Sequence, residues 1–419
     1  MRMTAAAEPP PSRAARVADL IAGLLGAGLL IGLATWVVGA SLQQDFAAYY
    51  TAGRARTLGL DPYVNHLGVA GGPWDGLAVY RHSRFLYAPL LADLFRPLAA
   101  LPFAWAKAGF TALSLGGLGV ALWVIWPRER ARATGLVVLA VAVWPPVFLA
   151  VERGQLDLLL LPLLATAWRV LDRRPALAAA CLGLCALAKP PVLAVLPVAL
   201  AVIGRRAVAL IAATVASVGL LLGLGALTSG IDLSRRYVTQ VLPRAAVYGE
   251  GGPEAWLLDD ARSGAVAEQL ENGIARIDGR GPAYAQGLGE FRRNASLTRA
   301  LTPDGVAPPT WLSLSLFAVL GGGLALGGRR RPEEPGWFWG ALVAGLLAAP
   351  VSWAMSLTWA LPLLLMPRAA VRPRREAWAA TFALGFLGLA TPAGWILTGL
   401  AAVVTAGLAP SSRTERGGP

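Results

Sequence analysis

A carboxylate, two tyrosines and an arginine stand together in Gln44-Asp45-Phe46-Ala47-Ala48-Tyr49-Tyr50-Thr51-Ala52-Gly53-Arg54, directly after the first long apolar run of the chain. The stretch runs on to Gly59-Leu60-Asp61-Pro62-Tyr63. At a place where a membrane helix ends and water begins, Asp45 has two uses. It can cap a short helix carrying Phe46, Tyr49 and Tyr50. It can also act as a general base, because a carboxylate beside an apolar surface is well placed to take a proton from a hydroxyl. Spacing alone does not choose between them.

Cations form the second group: Arg54, Arg81, Arg153 and Lys189. Lys189, in Ala188-Lys189-Pro190-Pro191, has little else polar near it. Its ammonium either snorkels to the membrane interface or binds a phosphate, for which a cation beside exposed helix ends is suited. In Glu152-Arg153-Gly154-Gln155-Leu156-Asp157 the Glu-Arg pair reads as a solvated hairpin or as part of a site, and Gln155 and Asp157 suit capping as well as ligand contact. Asn294-Ala295-Ser296-Leu297-Thr298-Arg299 closes the set, and its match to a glycosylation acceptor has meaning only in a eukaryotic secretory context. There is no Walker loop, dinucleotide fingerprint, HExxH or Asp-x-Asp pair. A soluble nucleotide-sugar transferase would want a carboxylate pair for its metal. A site on the outer face of a membrane has no nucleotide pool to draw on, and a lipid-carried substrate is what it can reach.

The elements that must position these groups are membrane helices. Of 419 residues, 56% are apolar and 15% charged, against roughly 25% charged in a soluble protein. Apolar runs near twenty residues recur from end to end, the pattern of a polytopic membrane protein. The net charge of +13 does not argue for nucleic acid, because the arginines fall in short clusters between apolar runs. Cys181 and Cys185 lie four apart in one such run and read as small buried side chains. Arginine almost replaces lysine, which occurs only at positions 107 and 189, and this reads as a GC-rich bacterial genome.

In chain order, residues 1–16 read as a disordered cytoplasmic N-terminus and 17–40 as the first span, too long for a signal-peptide core. Residues 87–102 are apolar but only about 15 long, short of the ~20 needed to cross, and read as an interfacial or re-entrant helix. Spans follow at about 103–126, 134–151, 155–171, 176–188, 190–204, 207–228, 310–327, 336–350, 352–367, 376–390 and 392–409, about twelve in all. Residues 17–409 thus form a single transmembrane domain, followed by a cytoplasmic tail at 410–419. With the N-terminus inside, the basic turns at Arg128/Arg130/Arg132, Arg173/Arg174, Arg205/Arg206, Arg329/Arg330/Arg331, Arg368/Arg372/Arg374/Arg375 and Arg413/Arg416 all fall on the cytoplasmic side. The long polar segments 41–102 and 229–309 are then outside, with the turns at 152–155, 189–191 and 352–353. The stretch 249–293 reads as an outer loop that covers an acceptor cleft and orders on binding.

In this order, the segments Asp45-Phe46-x-x-Tyr49-Tyr50-x-Ala52-Gly53 with Asp61-Pro62-Tyr63, Phe85-Leu86-Tyr87-Ala88-Pro89-Leu90 with Pro97-Leu98-Ala99-x-Leu101-Pro102, Gly154-Gln155-x-Asp157, Lys189-Pro190, Asn294-x-Ser296-Leu297 and Pro350-Val351-Ser352-Trp353 resemble glycosyltransferase family 87, a bacterial family of integral-membrane mannosyltransferases. The resemblance implies an all-α polytopic GT-C-type fold in the cytoplasmic membrane. It implies a polyprenyl-phosphate-mannose donor and a lipid- or glycan-borne acceptor; no cofactor and no metal ligands are expected from the motifs present. It implies an inverting reaction with Asp45 as general base, and Lys189, Arg153 and Arg54 as candidates for the donor phosphate. Tyr49, Tyr50, Gln155, Asp157, Asn294, Ser296 and Trp353 are its expected substrate contacts. Two positions depart from the family pattern: Ala354-Met355-Ser356 stand where histidines tend to follow the Ser-Trp, and position 157, often asparagine, is aspartate. His66 and His82 are the only histidines, and His82 is a candidate substitute. The alternatives are a same-fold transferase of another polyprenyl-linked sugar, such as arabinose, and a transporter or flippase of lipid-linked glycan. Against a transporter stands the lack of an internal repeat with paired broken helices.

Overall fold

The computed structural model describes residues 12–40, 43–64, 66, 70–75, 77, 85–125, 134–246, 294–302, 308–330, 332, 336–365 and 372–407. Arg81, His82, the loop at 249–293 and the tail at 410–419 lie outside them, as do Arg128, Arg130, Arg132, Arg331, Arg368, Arg413 and Arg416. Among the described residues the secondary structure is helical, with one isolated bridge between Asn294 and Trp353.

Helix α1 (Arg13–Ala40) begins four residues ahead of the apolar run, where the Ser12 hydroxyl accepts from the Ala15 N–H at 3.2 Å. Helices α2 (Gln44–Thr57) and α3 (Pro89–Ala99) come before the next long helix, α4 (Phe103–Ile125). The expected short helix at 87–102 is therefore α3, started by proline at its first position. Helices α5 (Thr134–Val143) and α6 (Pro145–Arg153) are one apolar run bent by 60° at Trp144. Pro145 and Pro146 remove the donors that would continue the helix.

The chain continues as α7 (Asp157–Val170), α8 (Pro175–Ala188), a 3₁₀ turn at Pro190–Ala194, α9 (Val195–Ile203) and α10 (Arg206–Ser229). Then come α11 (Ile231–Arg236), a π-helical turn at Tyr237–Val241, α12 (Leu242–Ala246) and α13 (Leu297–Ala300). Last are α14 (Thr310–Gly328), α15 (Gly336–Ala348), a 3₁₀ helix at Ala354–Ala360, α16 (Leu361–Leu365), α17 (Arg372–Ala390) and α18 (Pro392–Gly407).

Among the described residues four helices, α1, α4, α10 and α14, are long and apolar enough to cross a membrane, and the bent pair α5–α6 makes a fifth when taken as one span. The other expected spans are shorter helices, such as α8 and α15. A 13-residue helix rises about 20 Å, less than a ~30 Å hydrocarbon core. By length and apolarity alone, four or five crossings are marked among the described residues.

Packing follows from where the sequence is small. Gly117 of α4 meets the Leu158 backbone of α7, and Gly183 of α8 meets Ser217 of α10; a Cβ at either would come within 2.7 Å of an oxygen. Backbones approach closely at such positions, as in membrane helix pairs generally. Gly53 does the same for α2 against Phe95 and Ala99 of α3. Helix α15 is apolar all round, and every one of its residues is buried, as expected of a central element. The 3₁₀ helix that follows is equally buried. These two, with α2, α6 and α7, frame the polar site.

Candidate active site

Helix α2 is almost wholly buried from Asp45 to Gly53. It starts after a chain reversal at Gln43, which takes the left-handed φ of 49°. Gln43 occupies the cap position without a side-chain cap bond, and Asp45 lies within the first turn. Asp45 is thus not the helix cap, and its carboxylate benefits from the positive end of the helix dipole. Its partners come from the far end of α6. The Arg153 Nε donates to Oδ2 at 3.0 Å and Nη2 to Oδ1 at 3.4 Å, while the Gln155 Nε2 donates to Oδ2 at 2.6 Å. Asp45 is 5% exposed and Arg153 8%, so this is a charge-assisted pair largely out of water.

Gly154 makes the geometry possible. It caps α6 at φ 70°, a left-handed turn that lets Arg153 and Gln155 reach one carboxylate from opposite sides of the bend. A Cβ at this position would stand 2.6 Å from the Phe46 Cβ and 3.2 Å from the Gln43 Cβ. Gly154→Ala is expected to cost roughly 1–2 kcal/mol for the backbone conformation alone, with the clash added. Thermal unfolding of the purified protein in detergent measures it, and an unchanged midpoint would show that the turn relaxes freely.

One helical turn on from Asp45, the Tyr49 hydroxyl lies 2.9 Å from that of Tyr87 and donates to the Gln155 Oε1 at 3.4 Å. Burial pushes both phenols well above their ordinary range, and the charges of Asp45 and Asp157 add to the shift. Both tyrosines are therefore neutral hydrogen-bonding groups at physiological pH.

Asp157 opens α7 and is fully buried. Its Oδ2 accepts from the Lys189 Nζ at 2.7 Å. That ammonium also donates to the Ser356 Oγ at 2.7 Å. Lys189 sits where α8 ends, on extended backbone ahead of Pro190. The Asp157 Oδ1 is buried without a hydrogen-bond partner.

The remaining expected contacts divide. Asn294 and Trp353 pair as the isolated bridge. The Asn294 Oδ1 accepts from the backbone N–H of Ser296 at 2.9 Å and of Ser352 at 3.2 Å. Ser296 and Thr298 donate to the carbonyls of Ala349 and Ala348 at 2.5 and 2.7 Å, satisfying the end of α15. Asn294 and Ser296 thus clasp the segment that carries Ser356. Tyr50 and Arg54 face the other way on α2. Tyr50 donates to the Leu101 carbonyl at 2.8 Å, and the Arg54 guanidinium bonds the Asp75 carbonyl at 3.1 Å and lies 6.0 Å over the Tyr50 ring. The structure does not bring Arg54 into the Asp45 cluster: nine residues along an α-helix is half a turn away in angle. Tyr87 and Ser356 belong to the site and were not singled out from the sequence. Tyr87 lies inside the Phe85-Leu86-Tyr87-Ala88-Pro89-Leu90 segment, and Ser356 stands where the family pattern has its histidines.

Residues 85–258 match the family model of glycosyltransferase family 87, the family that the motifs resemble. The match takes in Tyr87, Arg153, Gln155, Asp157 and Lys189, and Asp45 and Ser356 lie outside it. It covers under half of the chain and indicates a glycosyltransferase. No curated protein and no solved structure matches.

Proposed function

We propose that this chain moves a mannosyl residue from polyprenyl-phosphate-mannose to a hydroxyl of a lipid- or glycan-borne acceptor, with inversion, at the outer face of a bacterial cytoplasmic membrane. The observation that carries the reading is the buried Asp45, held by Arg153 and Gln155, beside a second cation at Lys189. A base and two cations in one largely dry cluster suit a displacement whose leaving group is a phosphate. The acceptor oxygen attacks the anomeric carbon and its proton passes to Asp45. The bond from that carbon to the phosphate oxygen breaks, and polyprenyl phosphate departs with the electron pair. Lys189 meets the charge that develops. Tyr49 and Gln155 hold the sugar beside the base, and Trp353, with the Asn294–Ser296 clasp, shapes the wall opposite.

In this reading the helices form a GT-C-type domain of about twelve crossings, the shorter ones adjoining turns and 3₁₀ segments buried in protein, where irregular backbone is tolerated at membrane depth. The N-terminus is cytoplasmic, and segments 41–102 and 229–309 are outside. The test is a donor panel in vesicles with lipid extract as acceptor: polyprenyl-phosphate-mannose, polyprenyl-phosphate-arabinose and a nucleotide-linked mannose. Transfer from the first alone is the expected result. Transfer from the arabinosyl donor alone would reassign the sugar, and transfer from the nucleotide sugar would overturn the lipid-linked donor. No transfer, with movement of a lipid-linked glycan between leaflets, would make the protein a flippase.

A further inference from the structure

Tyr237 opens the π-helical turn between α11 and α12. Single π-helical turns are uncommon and recur at functional sites. This one buries Tyr237 and Val241 and leaves Val238, Thr239 and Gln240 exposed. Tyr237 is 5% exposed. Its ring stacks on that of Tyr63, with centroids 6.3 Å apart and planes inclined by 18°. Among the described residues its hydroxyl has no hydrogen-bond partner. Burial pushes the phenol up to about 12, so the group is a neutral O–H at physiological pH. A buried hydroxyl left unbonded costs stability that a phenylalanine would not, and a ligand that completes the bond accounts for it.

The neighbours of Tyr237 lead to the base. Tyr63 donates to the Tyr87 carbonyl at 2.7 Å. The Tyr87 hydroxyl lies 2.9 Å from that of Tyr49, which donates to Gln155 at 3.4 Å, and Gln155 donates to Asp45 at 2.6 Å. The Phe85 ring lies against Tyr63 and Tyr87, 5.8 and 5.6 Å between centroids. Apolar ring faces edged by hydroxyls match a sugar, which has C–H faces and a rim of hydroxyls. Arg236, next to Tyr237 in the chain, is paired with Asp61, and Arg56 with Asp93. The Tyr237 phenol itself is neutral, and it both donates and accepts, as a neutral hydroxyl ligand requires. The Arg236–Asp61 pair and the Tyr63 stack tie the turn to the segment after α2, so the phenol has a fixed place.

We propose that Tyr237 is an acceptor-binding residue, its hydroxyl bonding a sugar hydroxyl of the acceptor beside the one that attacks. This rests on the transferase reading above and adds to it the class of the acceptor: its reactive end is a sugar and not a bare lipid alcohol. Tyr237 takes no part in the chemical step. It fixes which hydroxyl reaches Asp45.

The experiment is a titration of acceptor in vesicles, with the lipid-linked donor that supports transfer held at saturation, comparing the wild type with Tyr237→Phe. Lipid extract, separated into a glycolipid fraction and a sugar-free fraction, is the acceptor. Phenylalanine keeps the ring and its stack and removes only the hydroxyl. With the glycolipid fraction the apparent acceptor KM is expected to rise about 3–10-fold, the loss of one neutral hydrogen bond, while the donor KM stays the same. Thermal unfolding in detergent is expected at or slightly above the wild-type midpoint, because no bond within the protein is lost. An unchanged acceptor KM overturns the inference, and a lowered midpoint beside it would make the hydroxyl structural. A raised donor KM with the acceptor KM unchanged overturns it too, and puts the phenol on the donor. Wild-type transfer to the sugar-free fraction alone overturns the sugar-bearing acceptor and leaves the transferase standing. Absence of transfer from every donor overturns the transferase reading, and this inference with it.

Discussion

Asp45→Asn is expected to slow sugar transfer by about 10²–10⁴-fold, the usual contribution of a positioned general base. The substitution keeps the shape of the side chain and one carbonyl oxygen. That oxygen can still accept from Arg153 or Gln155, whose bonds to Asp45 run from 2.6 to 3.4 Å. What is lost is the ability to take a proton. The variant leaves Arg153 facing a neutral amide, so thermal unfolding must accompany the rate measurement. A folded variant with near wild-type transfer would show that Asp45 braces α2 against α6 and that the base is another group.

Removing Lys189 is expected to have the largest effect on stability. Asp157 is buried without remainder, and one of its oxygens already lacks a partner. Lys189→Met would leave an uncompensated buried charge, which costs about 3–5 kcal/mol. That is a large share of the ~5–15 kcal/mol that separates folded from unfolded for a typical domain. The double variant Lys189→Met/Asp157→Asn removes both charges and is expected to recover most of the loss. The coupling between the two positions then reads out the pair. Transfer should not recover with stability, because the departing phosphate still lacks its cation. A double variant as active as the wild type would confine Lys189 to a structural role. Equal stability of the Lys189 single variant would show that the pair does not hold the fold together.

The residue types of this site are legible along the chain, and their pairings are not. Asp45, Gly154-Gln155-x-Asp157 and Lys189 stand out because polar groups at the ends of apolar runs are rare and costly. Helix boundaries were equally readable: the apolar run at 103–126 became Phe103–Ile125, and the proline pair at 145–146 became a 60° bend. That Arg153 belongs to Asp45 is a fact about two elements 108 residues apart, and no local periodicity carries it. The sequence shows Arg153 and Lys189 as cations without the carboxylates that the structure gives them. Likewise the bonds that Asn294 and Ser296 make to backbone 50 or more residues away are not visible along the chain. Arg54 shares a segment with Asp45, and only the helical turn between them shows that they face apart. The number of crossings is not legible in the same way, because a short apolar run looks the same whether it spans a bilayer or ends inside protein.

The bond between Asn294 and Trp353 also constrains topology by parity. If the site lies at one face of the membrane, the chain from 294 to 353 must leave that face and return to it. It therefore crosses an even number of times, whatever the length of α14 or α15. The same holds between Asp45 and Arg153, and between Asp157 and Lys189. Lys189 and Ser356 close the circuit over α9 to α15. Each contact in the cluster is thus a checksum on the path of the chain. A reporter fused beside any one of these residues must be found in the same compartment as a reporter beside any other.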